Sequence, residues 1–187
     1  MKRVFLAILV LLAVPGSLRA GEDWRWVQKV FDGDTFRLKG GEKVRLLGID
    51  TPELHPSDKL YRDARRSHQD VAKIQELGAQ SYEVTRNLLK GRLVRLELDE
   101  TTRDKYGRIL AYVYFKLAED RFAEIVGQPY RGKLPADEKE YMINRELIRY
   151  GWAATFKNFQ FKEKQDFLKL EKKARDAGWG LWGKGPE

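Results

Sequence analysis

The sequence predicts an α+β fold in which five short β-strands form a closed or nearly closed barrel and three helices pack around it. Three observations predict this. Apolar and polar residues alternate between tight-turn signals over 24–49, 93–98 and 109–115, as half-buried strands require. Apolar and small residues recur at helical spacing over 71–89, and single glycines stand just beyond each helical stretch at Gly91, Gly151 and Gly178.

In chain order, Val27, Phe31, Phe36, Leu38, Val44 and Leu46 stand among polar neighbours, with turn signals at Asp32-Gly33 and Gly40-Gly41. That pattern gives three antiparallel strands between Trp24 and Ile49. Residues 50–69 carry Pro52, Pro56 and many charges without periodicity, and are expected to form a mobile loop. Val71, Ile74, Gly78, Ser81, Thr85 and Leu88 share a helical stripe that Leu77, Val84 and Leu89 widen. Leu93–Leu98 and Ile109–Phe115 read as two further strands around the turn Asp104-Lys105-Tyr106-Gly107, and five strands with an intervening helix point to a barrel. Ile143, Leu147 and Tyr150 mark a second helix; Phe167, Leu170, Ala174 and Ala177 mark a third. The tail Trp179–Trp182 is expected to pack back on the body. Residues 117–138, with Gly127, Pro129, Gly132 and Pro135, read as an irregular surface segment.

At 187 residues, with 42% apolar and 34% charged, the chain suits one globular domain rather than a disordered one. The first 20 residues differ. Lys2 and Arg3 precede an apolar run from Val4 to Val14, followed by Pro15, Gly16 and small or polar residues to Ala20. This is the pattern of a cleaved secretory signal peptide, and the run is too short for the roughly 20 residues of a membrane span. Cleavage after Ala20 leaves a mature domain of 21–187; a cut nearer Ser17 is the alternative. The expected location is outside the cell or in a periplasm, with no membrane attachment after cleavage. The absence of cysteine excludes disulfides, thiolate zinc sites and an N-terminal lipidated Cys. Net charge is +8, and removal of Lys2, Arg3 and Arg19 leaves 33 basic against 28 acidic residues, or +5. Nucleic acid, anionic lipid and acidic glycan all remain as partners for such a charge.

Acidic residues cluster around the first sheet: Asp32 and Asp34 in Phe-Asp-Gly-Asp-Thr, then Asp50 and Glu53 in Gly-Ile-Asp-Thr-Pro-Glu. Asp32 and Asp34 are two apart, and a hairpin can return Asp50 to the neighbouring strand end. Such carboxylates repel each other unless a cation sits among them, and hard oxygen donors suit Ca²⁺ or Mg²⁺. Taken singly, Asp-Gly is an ordinary hairpin turn and Asp-Thr-Pro-Glu an ordinary helix start. Arg45 precedes Asp50 by five residues and Arg108 follows a turn in the later hairpin. Guanidinium groups grip phosphates through paired hydrogen bonds, so a metal, two arginines and a carboxylate base supply what phosphodiester hydrolysis needs.

The runs Asp32-Gly-Asp-Thr35, Val44-Arg-Leu-Leu-Gly-Ile-Asp-Thr-Pro-Glu53, Asp104-Lys-Tyr-Gly-Arg-Ile-Leu-Ala-Tyr112 and Asn144-Arg-Glu-Leu-Ile-Arg-Tyr-Gly-Trp-Ala153 resemble, in order, the signatures of the staphylococcal nuclease (thermonuclease) family. The similarity runs from about Val27 to Trp182. It implies an OB-fold barrel with three helices and a calcium-dependent nuclease that acts on DNA and RNA by in-line attack of water and leaves 3′-phosphate ends. It further implies Ca²⁺ on the side chains of Asp34 and Asp50 and the carbonyl of Thr51, with Asp32 as an acidic neighbour. Glu53 would orient or deprotonate the attacking water, and Arg45 and Arg108 would bind the scissile phosphate, Arg108 also assisting the leaving 5′ oxygen. Lys105 and Tyr106 match residues that flank a nucleotide. No stable protein partner is implied and a monomer is expected. The family's His-Pro is echoed at His55-Pro56, to which no catalytic role falls. Ala154-Thr-Phe-Lys157 lacks the tyrosine that stacks on the nucleotide base in the best-known member of the family, with Phe156 as the candidate to substitute by stacking. The alternative of a different class is a non-catalytic OB-fold module that binds nucleic acid; loss of the carboxylates would mark it, and none is lost.

Overall fold

The computed structural model describes residues 23–127 and 138–183. The proposed signal peptide lies outside the described residues, as does the centre of the 117–138 segment. Strands β1 (Trp24–Val30), β2 (Thr35–Leu38) and β3 (Lys43–Leu46) form the expected meander, joined at one end by Gly40 and Gly41 with φ of 128° and 99°. After the short β4 (Ile49–Asp50), helix α1 (Asp58–Ser67) and helix α2 (Val71–Leu89) lead into β5 (Leu93–Arg103) and β6 (Ile109–Ala118). Helix α3 (Glu119–Ile125), β7 (Glu138–Met142), α4 (Ile143–Arg149), β8 (Ala154–Thr155), α5 (Lys164–Ala177) and a 3₁₀ turn (Gly180–Trp182) complete the order.

The strand order β3-β2-β1-β5-β6 closes through parallel pairing of β3 with β6, at Val44↔Ile109, Arg45↔Leu110 and Leu46↔Ala111. The result is a five-stranded closed barrel of OB type, with β7 added to β6 and β4 paired separately with β8. Phe36, Leu38, Val44, Leu46, Val94 and Val113 point inward and are all but inaccessible to water. Their neighbours one residue away face outward, as the two-residue period of a strand dictates. A buried asparagine stitches the closing seam. Asn144 donates through Nδ2 to the carbonyls of Leu47 (2.9 Å) and Ala111 (3.0 Å) and accepts from the Val113 N–H at 2.9 Å. The tail does pack back: Leu181 N–H donates to the Gly151 carbonyl at 2.8 Å, and the Trp179 ring stacks on Tyr150.

Three expectations need correction. Residues 50–69 are not simply a loop, because α1 occupies Asp58–Ser67. Ser57 caps it, its hydroxyl accepting from the Leu60 N–H at 3.1 Å, but only Leu60 and Ala64 among its apolar side chains are buried, against Ile74 and Val71 of α2. Leu60 and Ala64 stand four apart with charges on the opposite side, a helical spacing that is present but short and narrow. The 117–138 segment likewise contains α3, which buries Phe122 and Ala123, so among the described residues there are five helices rather than three. β5 also runs past Leu98 to Arg103, across a register shift that its polar residues conceal. Among the described residues no helix is long and apolar enough to cross a membrane.

Candidate active site

The turn between β1 and β2 is shaped by its own acids. Phe31 N–H donates to the Thr35 carbonyl at 2.9 Å, and Asp34 N–H donates to Asp32 Oδ1 at 3.0 Å. This aims the Asp34 carboxylate into the protein, where it is 4% exposed and must be neutralised. Arg45, on the neighbouring strand, does so: Nη1 meets Asp34 Oδ2, while Nη2 reaches Asp50 Oδ1 at 3.1 Å and the Ile49 carbonyl at 3.2 Å. One guanidinium therefore bridges the two carboxylates that the motifs singled out. Burial opposes the charge on Asp34, yet Arg45 and the Thr35 hydroxyl hold its pKa below the ordinary carboxyl range. Asp50 is pushed upward by burial, with Asp34 adding to the effect and Lys59 and Arg45 countering it.

Asp32 behaves differently. Burial, reinforced by the charge of Asp34, raises its pKa from 3.8 to about 7. Folding thus favours protonated Asp32, and the stability this contributes is lost as pH rises from 3.8 through about 7. Asp32→Asn should therefore gain Tm relative to the parent, in chelator, as pH is raised from about 4 to about 8. A Tm difference independent of pH would show that Asp32 does not titrate in this interval.

Helix α2 holds both acidic turns from behind. The Thr85 hydroxyl donates to the Gly33 carbonyl at 2.8 Å, Ser81 donates to the Trp152 carbonyl at 2.7 Å, and Gly78 lies so close to the Glu53 carbonyl that a Cβ there would sit 2.7 Å from it. Gly78 and Thr85, which read from spacing as core, form the small-residue face on which the turns rest. Glu53 is half-buried near the end of the second turn. Its carboxylate meets Lys59 Nζ at 2.8 Å and accepts from Ser57 Oγ at 3.4 Å.

Lys59 was not legible as a site residue. From the first turn of α1 its ammonium reaches Asp50 Oδ1 at 3.1 Å and the Thr51 carbonyl at 3.2 Å as well as Glu53. Burial opposes its charge, but Asp50 and Glu53 keep its pKa above the ordinary lysine value. The available signal is Ser57-Asp58, a cap followed by a first-turn acid, which starts a helix two residues before Lys59.

Arg108 comes from the turn between β5 and β6. Asp104 Oδ1 accepts the backbone N–H groups of Tyr106 (2.9 Å) and Arg108 (3.0 Å), and Oδ2 accepts Arg108 Nε at 2.7 Å. Arg108 Nη1 then donates to Thr35 Oγ1 at 3.2 Å, and that hydroxyl donates to Asp34 Oδ1 at 2.9 Å. The two arginines are thus joined through Thr35 and Asp34 into one network. Tyr106 is 72% exposed, with the Lys105 ammonium 5.0 Å and the Arg108 guanidinium 5.6 Å from its ring centre. Arg45, Lys105, Tyr106, Arg108, Phe156 and Phe159 line a pocket of about 240 Å³, so Phe156 does stand beside the arginines, packed on Phe159 at 5.3 Å.

The structure therefore gathers Asp34, Arg45, Asp50, Thr51, Glu53 and Arg108 at one end of the barrel, with Asp32 behind and Lys105 and Tyr106 at the rim. Among the described residues no three carboxylate or imidazole side chains are arranged as a metal site. The donors that converge are two carboxylates and a backbone carbonyl, and their charge is met by Arg45 and Lys59.

Residues 43–184 match the family model described as staphylococcal nuclease homologue. The chain is 31% identical over 165 residues to an uncharacterized protein of Methanocaldococcus jannaschii, covering 83% of this chain and 70% of that protein. It is 33% identical over 172 residues to a thermonuclease of Staphylococcus hyicus, covering 89% and 80%. With a thermonuclease of Staphylococcus intermedius the identity is 36% over 118 residues, covering 57% and 62%.

Proposed function

The chain belongs to the staphylococcal nuclease family, and from that premise we propose that it is an exported, calcium-dependent nuclease that hydrolyses phosphodiester bonds of DNA and RNA. The observation that carries the proposal is the network in which Arg45 bridges Asp34 and Asp50 while Thr35 ties Asp34 to Arg108. In that network two cationic forks face one acidic cradle. A phosphodiester placed over the cradle exchanges the carboxylate contacts of Arg45 for its own oxygens. Arg108 is held by Nε and Nη1 and has no hydrogen-bond partner at Nη2 among the described residues, which leaves that edge for a phosphate oxygen. Both guanidiniums neutralise charge that grows on the phosphorus during in-line attack, and Arg108 accompanies the departing 5′ oxygen. Glu53 orients or deprotonates the attacking water, and the products carry 3′-phosphate ends.

The donor set suits a hard cation, and Lys59 marks its place: one ammonium touches Asp50, Thr51 and Glu53 at once. Asp34, Asp50 and the Thr51 carbonyl would hold Ca²⁺, which when bound supplies positive charge to the phosphate oxygens and makes a bound water more acidic. Because Lys59 occupies two of these three donors, Asp50 Oδ1 and the Thr51 carbonyl, Lys59→Met should bind Ca²⁺ about tenfold more tightly than the parent by calorimetry, a gain of about 1.4 kcal/mol. Equal or weaker binding would remove Lys59 from competition for the cradle.

Residues 1–20 act in this proposal as an export signal, delivering the 21–187 domain to a periplasm or the medium, where it works as a monomer on nucleic acid. The deciding experiment is digestion of end-labelled DNA and RNA by the 21–187 chain with Ca²⁺, with Mg²⁺ and with chelator, followed by identification of product ends. Products with 3′-phosphates support the proposal. Binding without cleavage in every metal would favour the non-catalytic module, and 5′-phosphate products would reverse the assigned leaving group.

A further inference from the structure

Cations on this surface are commonly paired. Arg25 meets Glu42, Arg95 meets Glu140 at 3.0 Å, and Arg86 meets Glu83 at 2.9 Å. Lys29, Arg37 and Lys43 form no ion pair among the described residues, yet they stand together around the Phe31 ring, at 5.4, 5.6 and 5.4 Å from its centre. Arg37 Nε is buried without a hydrogen-bond partner. Three like charges gathered without a carboxylate repel one another, and contact with one ring offsets only about 0.5–1 kcal/mol each at exposed positions.

The registers explain why they meet. Lys29 pairs with Arg37 across β1 and β2, and Arg37 pairs with Lys43 across β2 and β3, so the three form one row on the outer face of the barrel. The next row on that face is Thr35 and Arg45, also register partners. Residues two apart on a strand share a face roughly 7 Å apart, about the reach of one stretched nucleotide. The cation row therefore continues the active site by a single step, and an open groove of about 600 Å³ carries on from Lys29 and Arg37 past Tyr82 and Arg86 of α2 to Lys90 just beyond its end, with Glu83 in its wall paired to Arg86.

We propose that Lys29, Arg37, Lys43 and Phe31 form a second phosphate subsite that grips the single-stranded nucleic acid next to the scissile bond and leads it into the groove beside α2. This rests on the nuclease reading of the adjoining site. Its chemistry is sequence-neutral: the cations meet backbone phosphates, and the Phe31 ring offers a surface to any base.

The test is fluorescence binding of a labelled single-stranded DNA to the 21–187 protein in chelator, over a range of salt, for the parent and for Lys43→Gln, Lys29→Gln/Lys43→Gln and Lys29→Gln/Arg37→Gln/Lys43→Gln. Each lost phosphate contact should flatten the plot of log affinity against log salt by about 0.7, and the triple variant should bind about tenfold more weakly at low salt whatever the sequence. A salt slope unchanged in the triple variant would overturn the subsite, even if affinity fell. Graded single and double variants keep the test decisive should the triple variant unfold. Cleavage of the same strand by the parent in Ca²⁺ reports separately on the nuclease reading: a flattened slope without cleavage would leave the subsite and remove the enzyme.

Discussion

Arg108→Ala is expected to lower kcat for phosphodiester cleavage by about 10² to 10³, with a smaller effect on KM. The expectation comes from how the guanidinium is held. Asp104 takes its Nε and its backbone N–H, and Thr35 takes Nη1, so the side chain is fixed in place before substrate arrives. A preorganised cation spends little energy on reorientation when charge develops, which is where its effect on the chemical step resides. Arg108→Lys should recover only part of the loss, because an ammonium cannot keep Asp104 and Thr35 while presenting a planar edge to phosphate. Single-turnover kinetics at saturating substrate measures this directly. A near-parental kcat for Arg108→Ala would place Arg108 outside the transition state.

Asn144→Ala should cost about 3–5 kcal/mol of stability, a loss as large as that of a fully buried core side chain. Three hydrogen bonds disappear at once, and the carbonyls of Leu47 and Ala111 and the N–H of Val113 lose a buried partner. Leu47 N–H also donates to the Ala111 carbonyl at 2.9 Å, so all these groups crowd the short β3–β6 seam. Because Arg45 lies in that seam, paired with Leu110, weakening it also loosens the candidate site. Urea unfolding monitored by tryptophan fluorescence would test the figure. A loss below about 1 kcal/mol would mean that water or backbone rearrangement satisfies the exposed groups.

How much of this was legible differs from element to element. The barrel strands could be read because Phe36, Leu38, Val44 and Leu46 alternate with outward-facing neighbours, and burial on one face writes that period directly into the chain. The site's acids and arginines could be read because they lie in compact runs. Helix α1 was missed although Leu60 and Ala64 stand four apart, because a stripe of two buried apolar residues within a heavily charged segment is easily passed over. Lys59 escaped with it, its meaning depending on where that helix docks. The Lys29, Arg37 and Lys43 cluster is hidden for another reason: three separated charges become neighbours only once the strand registers are set. The same holds for Thr35, whose hydroxyl connects Asp34 to an arginine far along the chain.

The cleavage rate of a labelled single-stranded DNA, followed as Ca²⁺ is titrated into the metal-free 21–187 protein, tests the convergence of cradle and arginines most directly. Activity should appear with Ca²⁺, vanish on adding chelator, and need far more Ca²⁺ in Asp50→Asn than in the parent. Undiminished cleavage in excess chelator, or a parental Ca²⁺ requirement in Asp50→Asn, would contradict it.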